Sequence, residues 1–557
     1  MKRFSRLYII GFLWTSLSLS AQENILTSRV LREPVQKVSE VNDANSVTTI
    51  EYYDTAGRLI QTIRKGFGPN GEDLADYIQF DEAGRIAKEY LSTPFTGNNG
   101  VFVPVSEFEQ STQTWSRTHL YEASTEGRIV ETSGMHVGGK SIKYDYRLSN
   151  SSEPELSALE FRMQNNTTIN KRMAARGAYQ VVEEIDEDGH RILLFTDSDG
   201  HTVLKRRVDG DVYHDTYMVY DAYDHLRCVL PPAAVDAYSS FDDQSLSAGN
   251  FLDLYAYFYI YDNDNQCVGV KYPGADWIYT VYDGDYRPIL SQDGNQRKRD
   301  EWSFIKYDGL GRVVIEGIVK DKRTRDDLAD IYEDVLVHEE YIGTEGPCRG
   351  YTDHIKMGQN RYILTCIRYY DNYAFTEFSS DWSFANMASS ASAKGLLTGV
   401  FEAVLNQPDK GRFTINQYDD KSRLIRRDSK ETLSNNTLSA DYSYNFSGAL
   451  IRSDSRYGNR YSLRLDYNYD HAGREKNSIC VLGYGTTHYT SPLRAFTYDS
   501  HGRISEKMMQ GNKVKMTYGY HNDGTLFNIG SMNGFNETLY FGNSMLPYQL
   551  SRCNNGN

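Results

Sequence analysis

Carboxylates and histidines are the side chains of this sequence that could do chemistry, and their spacing decides which kind. Glu184, Asp186, Asp188 and Gly189 fall at positions 1, 3, 5 and 6 of a calcium-loop pattern. Position 12 of such a loop needs a bidentate glutamate, and here it is Phe195. Aligned the same way, Asp197-Ser198-Asp199-Gly200 brings Arg206 to that position. Both segments read better as Asp-Gly hairpin turns. His338-Glu339-Glu340 has no second histidine four residues on, so it is not a zinc-protease helix. His190, His201, His471 and His501 sit inside turns, where exposed imidazoles are expected. Neither a GxSxG nucleophile elbow nor a phosphate-cradling glycine loop occurs. With 75 aspartates and glutamates some pair must face each other, so a glycosidase pair carries no weight. The expectation is no catalytic residue, no metal ligand, no cofactor, and a protein that is not an enzyme.

Certain aspartates recur, and turn geometry accounts for them. Tyr53, Asp54, Gly57 and Arg58 belong to YDTAGR; Tyr307, Asp308, Gly311 and Arg312 to YDGLGR. Tyr469, Asp470, Gly473 and Arg474 belong to YDHAGR, and Tyr498, Asp499, Gly502 and Arg503 to YDSHGR. FDEAGR supplies Asp81, Gly84 and Arg85, and weaker copies start at Tyr418 and Tyr282. The runs on either side of the first copy, Thr48 to Tyr53 and Arg58 to Ile63, are rich in β-branched and aromatic residues and read as strands. A type I turn favours Asp at its first position and Gly at its fourth. The Asp carboxylate can accept a backbone N–H two residues on, and the Gly can take the positive-φ position of a bulge. The Arg is expected over the Tyr of its own turn, a contact worth about 0.5–1 kcal/mol at an exposed site. Each copy is then a β-hairpin. A lone hairpin is marginal in water, so successive hairpins must pair edge to edge. The expected fold is mainly β: tandem antiparallel hairpins in a curled sheet or partial β-shell, with a few short helical insertions.

Composition agrees. The 557 residues hold 44 Tyr and 44 Gly against 13 Pro, with 39 % hydrophobic and 24 % charged residues. A net charge of −15 argues against a nucleic-acid partner, because phosphate contacts would be repulsive. Lys2, Arg3 and Arg6 precede a short apolar run, Leu7 to Trp14, and a small-residue stretch ending at Ala21. That is the pattern of a cleaved secretory signal, too short to span a bilayer. The protein is expected to be exported, to the periplasm, the outer cell surface or the medium, with no membrane span after cleavage. Six widely spaced cysteines without a CxxC pair predict mostly buried free thiols and at most one bridge.

The chain divides into a signal at 1–21, an N-terminal β-rich domain at 22–175 and a repeat sheet at 176–320. A segment with helical insertions follows at 321–410, and a second repeat sheet at 411–557. Pro231 to Asn250 reads as a loop and short helix, Phe251 to Tyr261 as a buried strand, and Phe384 to Leu397 as an insertion. Leu328, Ile331, Tyr332 and Val335 at helical spacing predict an amphipathic helix over 324–337.

The recurring YDxxGR motif resembles the YD-repeat, or Rhs-repeat, family of exported bacterial proteins. Tyr217 to Pro232, Tyr257 to Arg299 and Trp302 to Gly317 are similar to a block of Rhs-like proteins. Residues 30–230 resemble the N-terminal domain of unknown function that opens many of them. The resemblance implies a ribbon spiralling into a hollow shell, which in longer relatives encloses a C-terminal toxin. The self-cleaving core and a toxin domain are not recognisable here. The expected role is a structural or interaction protein, forming part of a β-shell for cell-surface interaction or effector encapsulation, with a second polypeptide as partner. The alternative is a cell-surface carbohydrate-binding protein, with a surface glycan stacking on tyrosine and tryptophan.

Overall fold

In the computed structural model, residues 24–554 are described apart from internal stretches that include 135–140, 239–242, 246–251, 357–362, 378–392, 510–513 and 542–546. The leader expected at 1–21 and most of Phe384 to Leu397 lie outside the described residues. Among the described residues, 33 strands form one antiparallel sheet that does not close into a barrel. Almost every strand pairs with the one before and the one after it in sequence, from Asn24–Leu31 at one edge to Pro547–Asn554 at the other. Strands on both sides of residue 175 pair directly, Ser141–Leu148 with Gln180–Ile185. From the stretch between them, Leu159–Asn165 and Thr168–Met173 form a separate three-stranded sheet with the distant Asp243–Ser245.

Three insertions cover the sheet and create its cores. The first, around Val105–Gln110, buries Phe108 against Tyr77, Tyr90 and Phe95. Buried Gln61 fixes it by exchanging two hydrogen bonds with the backbone of Val103, each 2.8 Å long. The second carries the small sheet. Arg206, on the same strand face as Leu204 and Val208, donates to the carbonyls of Pro154, Glu155 and Ser157 while held by Asp215. The third contains the helix Arg325–Tyr332, capped by Thr324 and shorter than the expected 324–337. Leu328 and Tyr332 are buried, and the chain then turns so that Val337 enters the core.

The stretch from Phe251 to Tyr261 corrects the expected single strand. Leu252–Tyr255 is a helical turn with Leu252 and Ala256 buried, and the strand is only Tyr257–Tyr261. Packing of Leu252 and Ala256 into the second core outweighs the strand preference of the aromatic residues. Cys228, Cys267, Cys348, Cys366 and Cys480 are free, as expected, but only Cys228 and Cys348 are buried, the other three lying half-buried on strands of the sheet.

All three apolar clusters end by Ile415. Beyond it the ribbon continues as a single layer in which Ala440 is the one buried hydrophobic side chain among the described residues. The ribbon also meets its own beginning. Arg474 lies over the Phe67 ring at 5.0 Å, the His471 Nε2 is 2.8 Å from the Gly66 carbonyl, and Arg32 donates to the His471 carbonyl. Residues 405 to 439 apart in sequence meet because the twist of successive strands carries the ribbon round in a coil.

Candidate functional site

The repeated turns form one connected structure. At Asp54 the carboxylate Oδ1 accepts the backbone N–H groups of Ala56 and Arg58, both at 2.9 Å, and Oδ2 accepts the Arg58 Nε–H at 2.7 Å. Gly57 has φ +78°, the left-handed value that the bulge requires. Asp308, Asp470 and Asp499 repeat the same bonds to Arg312, Arg474 and Arg503, and Asp81 repeats those to Arg85. Gly84, Gly311, Gly473 and Gly502 all have positive φ. The carboxylate is thus committed on both oxygens, one to the backbone and one to a guanidinium.

The arginine does not cover its own tyrosine, as the sequence suggested, but the aromatic ring of the next hairpin. Arg58 lies over Phe80 and Arg85 over Tyr121, both at 4.2 Å, and Arg287 over Tyr307 at 4.8 Å. Arg312 covers Tyr370, Arg423 covers Tyr444, Arg474 covers Tyr498 and Arg503 covers Tyr520. The tyrosine hydroxyl then donates to the carbonyl just after that arginine: Tyr121 to Ile86, Tyr307 to Pro288, Tyr498 to Glu475. Tyr469 does the same to Leu450, although Ala449 stands where an arginine would. Bonding to its own Asp aims the arginine along the sheet, away from its own Tyr and towards the following hairpin. The motif therefore works between copies, as a ladder of Asp, Arg and Tyr running along one end of the hairpins. At these arginine-bearing rungs one face of the ring is thus occupied by a cation.

Electrostatics follow from these bonds. The Arg58 backbone N–H and then its side chain hold Asp54 below the usual aspartate value, and Arg85 acts likewise on Asp81. Glu122, which replaces Asp in a longer loop, is brought down to about 2 by the Arg128 side chain and Ser124. Burial raises the Tyr307 and Tyr498 hydroxyls, so they remain donors. The turn at Asp186 is a hairpin whose Oδ1 accepts from Asp188 and His190, as the Asp-Gly reading required. Asp186, Asp188 and His190 lie close enough for an ion, but the bonds within the turn explain their proximity.

Some turn histidines are not simply exposed. His201 replaces the arginine of its rung and stacks on Tyr220 at 4.5 Å, and His225 stacks on Tyr261 at 4.4 Å. Imidazole next to Asp can copy the guanidinium's flat shape and N–H donor.

One cluster escaped the sequence reading. Lys306 is fully buried, with its Nζ 2.6 Å from both Glu339 and Asp353. The second Glu339 oxygen accepts from the Thr352 hydroxyl and the His354 N–H. This ionic node clamps the third insertion onto the sheet. The strand pattern offered a signal, since Trp302, Phe304 and Lys306 alternate onto one buried face.

Fold and ladder together define a class: a long, coiling antiparallel β ribbon built from hairpins cross-linked at their turns. Residues 27–147 match DUF6443, a domain of unknown function, overlapping the first part of the 30–230 region where such a domain was expected. No curated protein sequence matches the chain. A crystal structure of TcdB2-TccC3-Cdc42 superposes with a TM-score of 0.63 at 12 % identity, covering 95 % of this chain and 23 % of that one. TcdB2-TccC3-TEV gives 0.62 at 11 % identity, with the same coverage. The Photorhabdus luminescens Tc holotoxin pore gives 0.61 at 12 %, covering 95 % and 22 %. The chain spans less than a quarter of the length of these chains, and at such identities the likeness is one of fold. Among the described residues no helix is long and apolar enough to cross a membrane.

Proposed function

We propose that this chain is an exported, non-catalytic structural protein whose ribbon forms part of a β-shell, for effector encapsulation or cell-surface interaction. The observation that carries the reading is the meeting of Phe67 with Arg474 and Gly502, which turns a flat ribbon into a curved wall. The committed turn carboxylates support a structural rather than catalytic role for the motif. The fold shared with TcdB2-TccC3 supports a second polypeptide as the partner. Electron microscopy of the leader-free chain tests the reading. Particles with a curved wall around an open interior are expected; straight ribbons or solid globules would refute it.

A further inference from the structure

A second site lies where the small sheet stands off the main one. It is a cleft of about 620 Å³, within the usual range of ligand pockets of about 300–1,000 Å³. Phe161, Tyr179, Tyr217 and Tyr220 give it aromatic walls. Its charge is unbalanced. Glu160, Asp197, Asp199, Asp221 and Asp224 line it against the two guanidiniums of Arg162 and Arg172. Both arginines are spent on Glu160, and Asp221 is shared with His225 and Arg227. The Asp199 and Asp224 carboxylates make no side-chain bond among the described residues.

Two features indicate what is missing. At rungs such as Asp308 and Asp470 a guanidinium sits between a turn aspartate and a tyrosine ring. In the rung that borders the cleft, His201 takes that place between Asp197 and Tyr220, without arginine's permanent charge. Tyr179 is only 7 % exposed, lines the cleft, and its hydroxyl has no hydrogen-bond partner among the described residues. Burial pushes that hydroxyl up to about 12, so it remains a neutral group able to accept a hydrogen bond.

We propose that this cleft receives an arginine-bearing segment of a partner polypeptide. Beside the rung that His201 fills, the incoming guanidinium makes the aspartate and ring contacts that arginine makes at rungs such as Asp308–Arg312–Tyr370. Asp199 and Asp224 supply the counter-charge, the rings supply cation–π faces, and Tyr179 accepts an N–H. The inference rests on the polypeptide-partner reading above and adds the chemistry of the partner.

Fluorescence anisotropy with a labelled peptide of alternating glycine and arginine, titrated with the full chain, tests it. Saturable binding is expected, absent for the same peptide with citrulline in place of arginine. Asp199→Asn with Asp224→Asn should weaken it about tenfold, through loss of two counter-charges. Both side chains are free of internal bonds, and Asn tolerates the positive φ of Asp224, so folding is preserved. Tyr179→Phe should weaken binding about threefold. Asp420→Asn, in a distant exposed turn, should leave it unchanged. No binding, equal binding of the citrulline peptide, an equal loss in Asp420→Asn, or displacement of the peptide by cellohexaose would overturn the proposal. The assay does not depend on wall curvature: a closed shell without peptide binding sinks only this inference, and a straight ribbon that binds sinks only the shell.

Discussion

The ribbon before Ile415 and the ribbon after it use the same ladder but not the same cover. Asp308 to Tyr370 and Asp470 to Tyr498 are wired alike, down to the 2.7 Å Arg Nε to Asp bond. Around the first, Trp302, Phe304, Phe401 and Phe413 are buried beneath an insertion. Around the second the sheet is a single layer. Arg452, Arg464 and Asp466 form ion pairs on one face, and Leu463, Leu482 and Tyr489 share the other, with Tyr489 67 % exposed. The ladder thus sets continuity and register, while the insertions supply apolar burial. Burial, at about 25 cal/mol per Å² of apolar surface, is the larger stabilising effect.

The contrast can be broken at the core first. Trp302→Ala should destabilise the covered region by about 3–5 kcal/mol, whereas Leu482→Ala in the bare region should change stability by less than about 1 kcal/mol. Denaturant unfolding of the two variants measures this, and equal losses would mean that the bare region has a core of its own. Lys306→Met should cost about 3–5 kcal/mol, because it strands the buried Glu339 carboxylate and removes the partner of the partly buried Asp353. Hydrogen exchange of that variant should show the insertion around Arg325–Tyr332 opening before the strands beneath it.

Ladder substitutions sharpen the same comparison from the other side. Asp308→Ala and Asp470→Ala each strand backbone N–H groups and should cost about 1–3 kcal/mol. Similar losses in both regions are expected if the ladder acts locally; a loss confined to the covered region would tie it to the core instead.

Acid should weaken the ladder without mutation. Asp54, Asp81 and Asp419 are held below the ordinary aspartate value, and Glu122 is at about 2 against an ordinary 4.5. A lowered folded-state value means that stability is fully present above the unfolded-state value and is lost as pH falls through the folded one. For Glu122 that window runs from about pH 4.5 down to about 2. Hydrogen exchange followed as the pH falls should show the turns at Asp54, Asp81, Glu122 and Asp419 losing protection before the strands they join.

Much of the ladder was legible in the sequence because its requirements are local. A carboxylate at Asp54 and a positive φ at Gly57 are properties of one five-residue turn. Which ring Arg58 covers was not legible, since Phe80 comes alongside only after two hairpins have paired. The helical turn at Leu252–Tyr255 and the node at Lys306 were hidden for the same reason: packing from distant segments decides them. The cleft by Tyr179 depends on residues from several strands whose proximity no spacing reveals.

The central claim is that the hairpin ribbon coils round until it meets its own start. A photo-crosslinking benzoylphenylalanine in place of Phe67, activated in the monomer, tests it most directly. The account predicts crosslinked peptides containing Arg474 or Gly502, more than 400 residues away. Crosslinks confined to sequence neighbours of position 67 would contradict it.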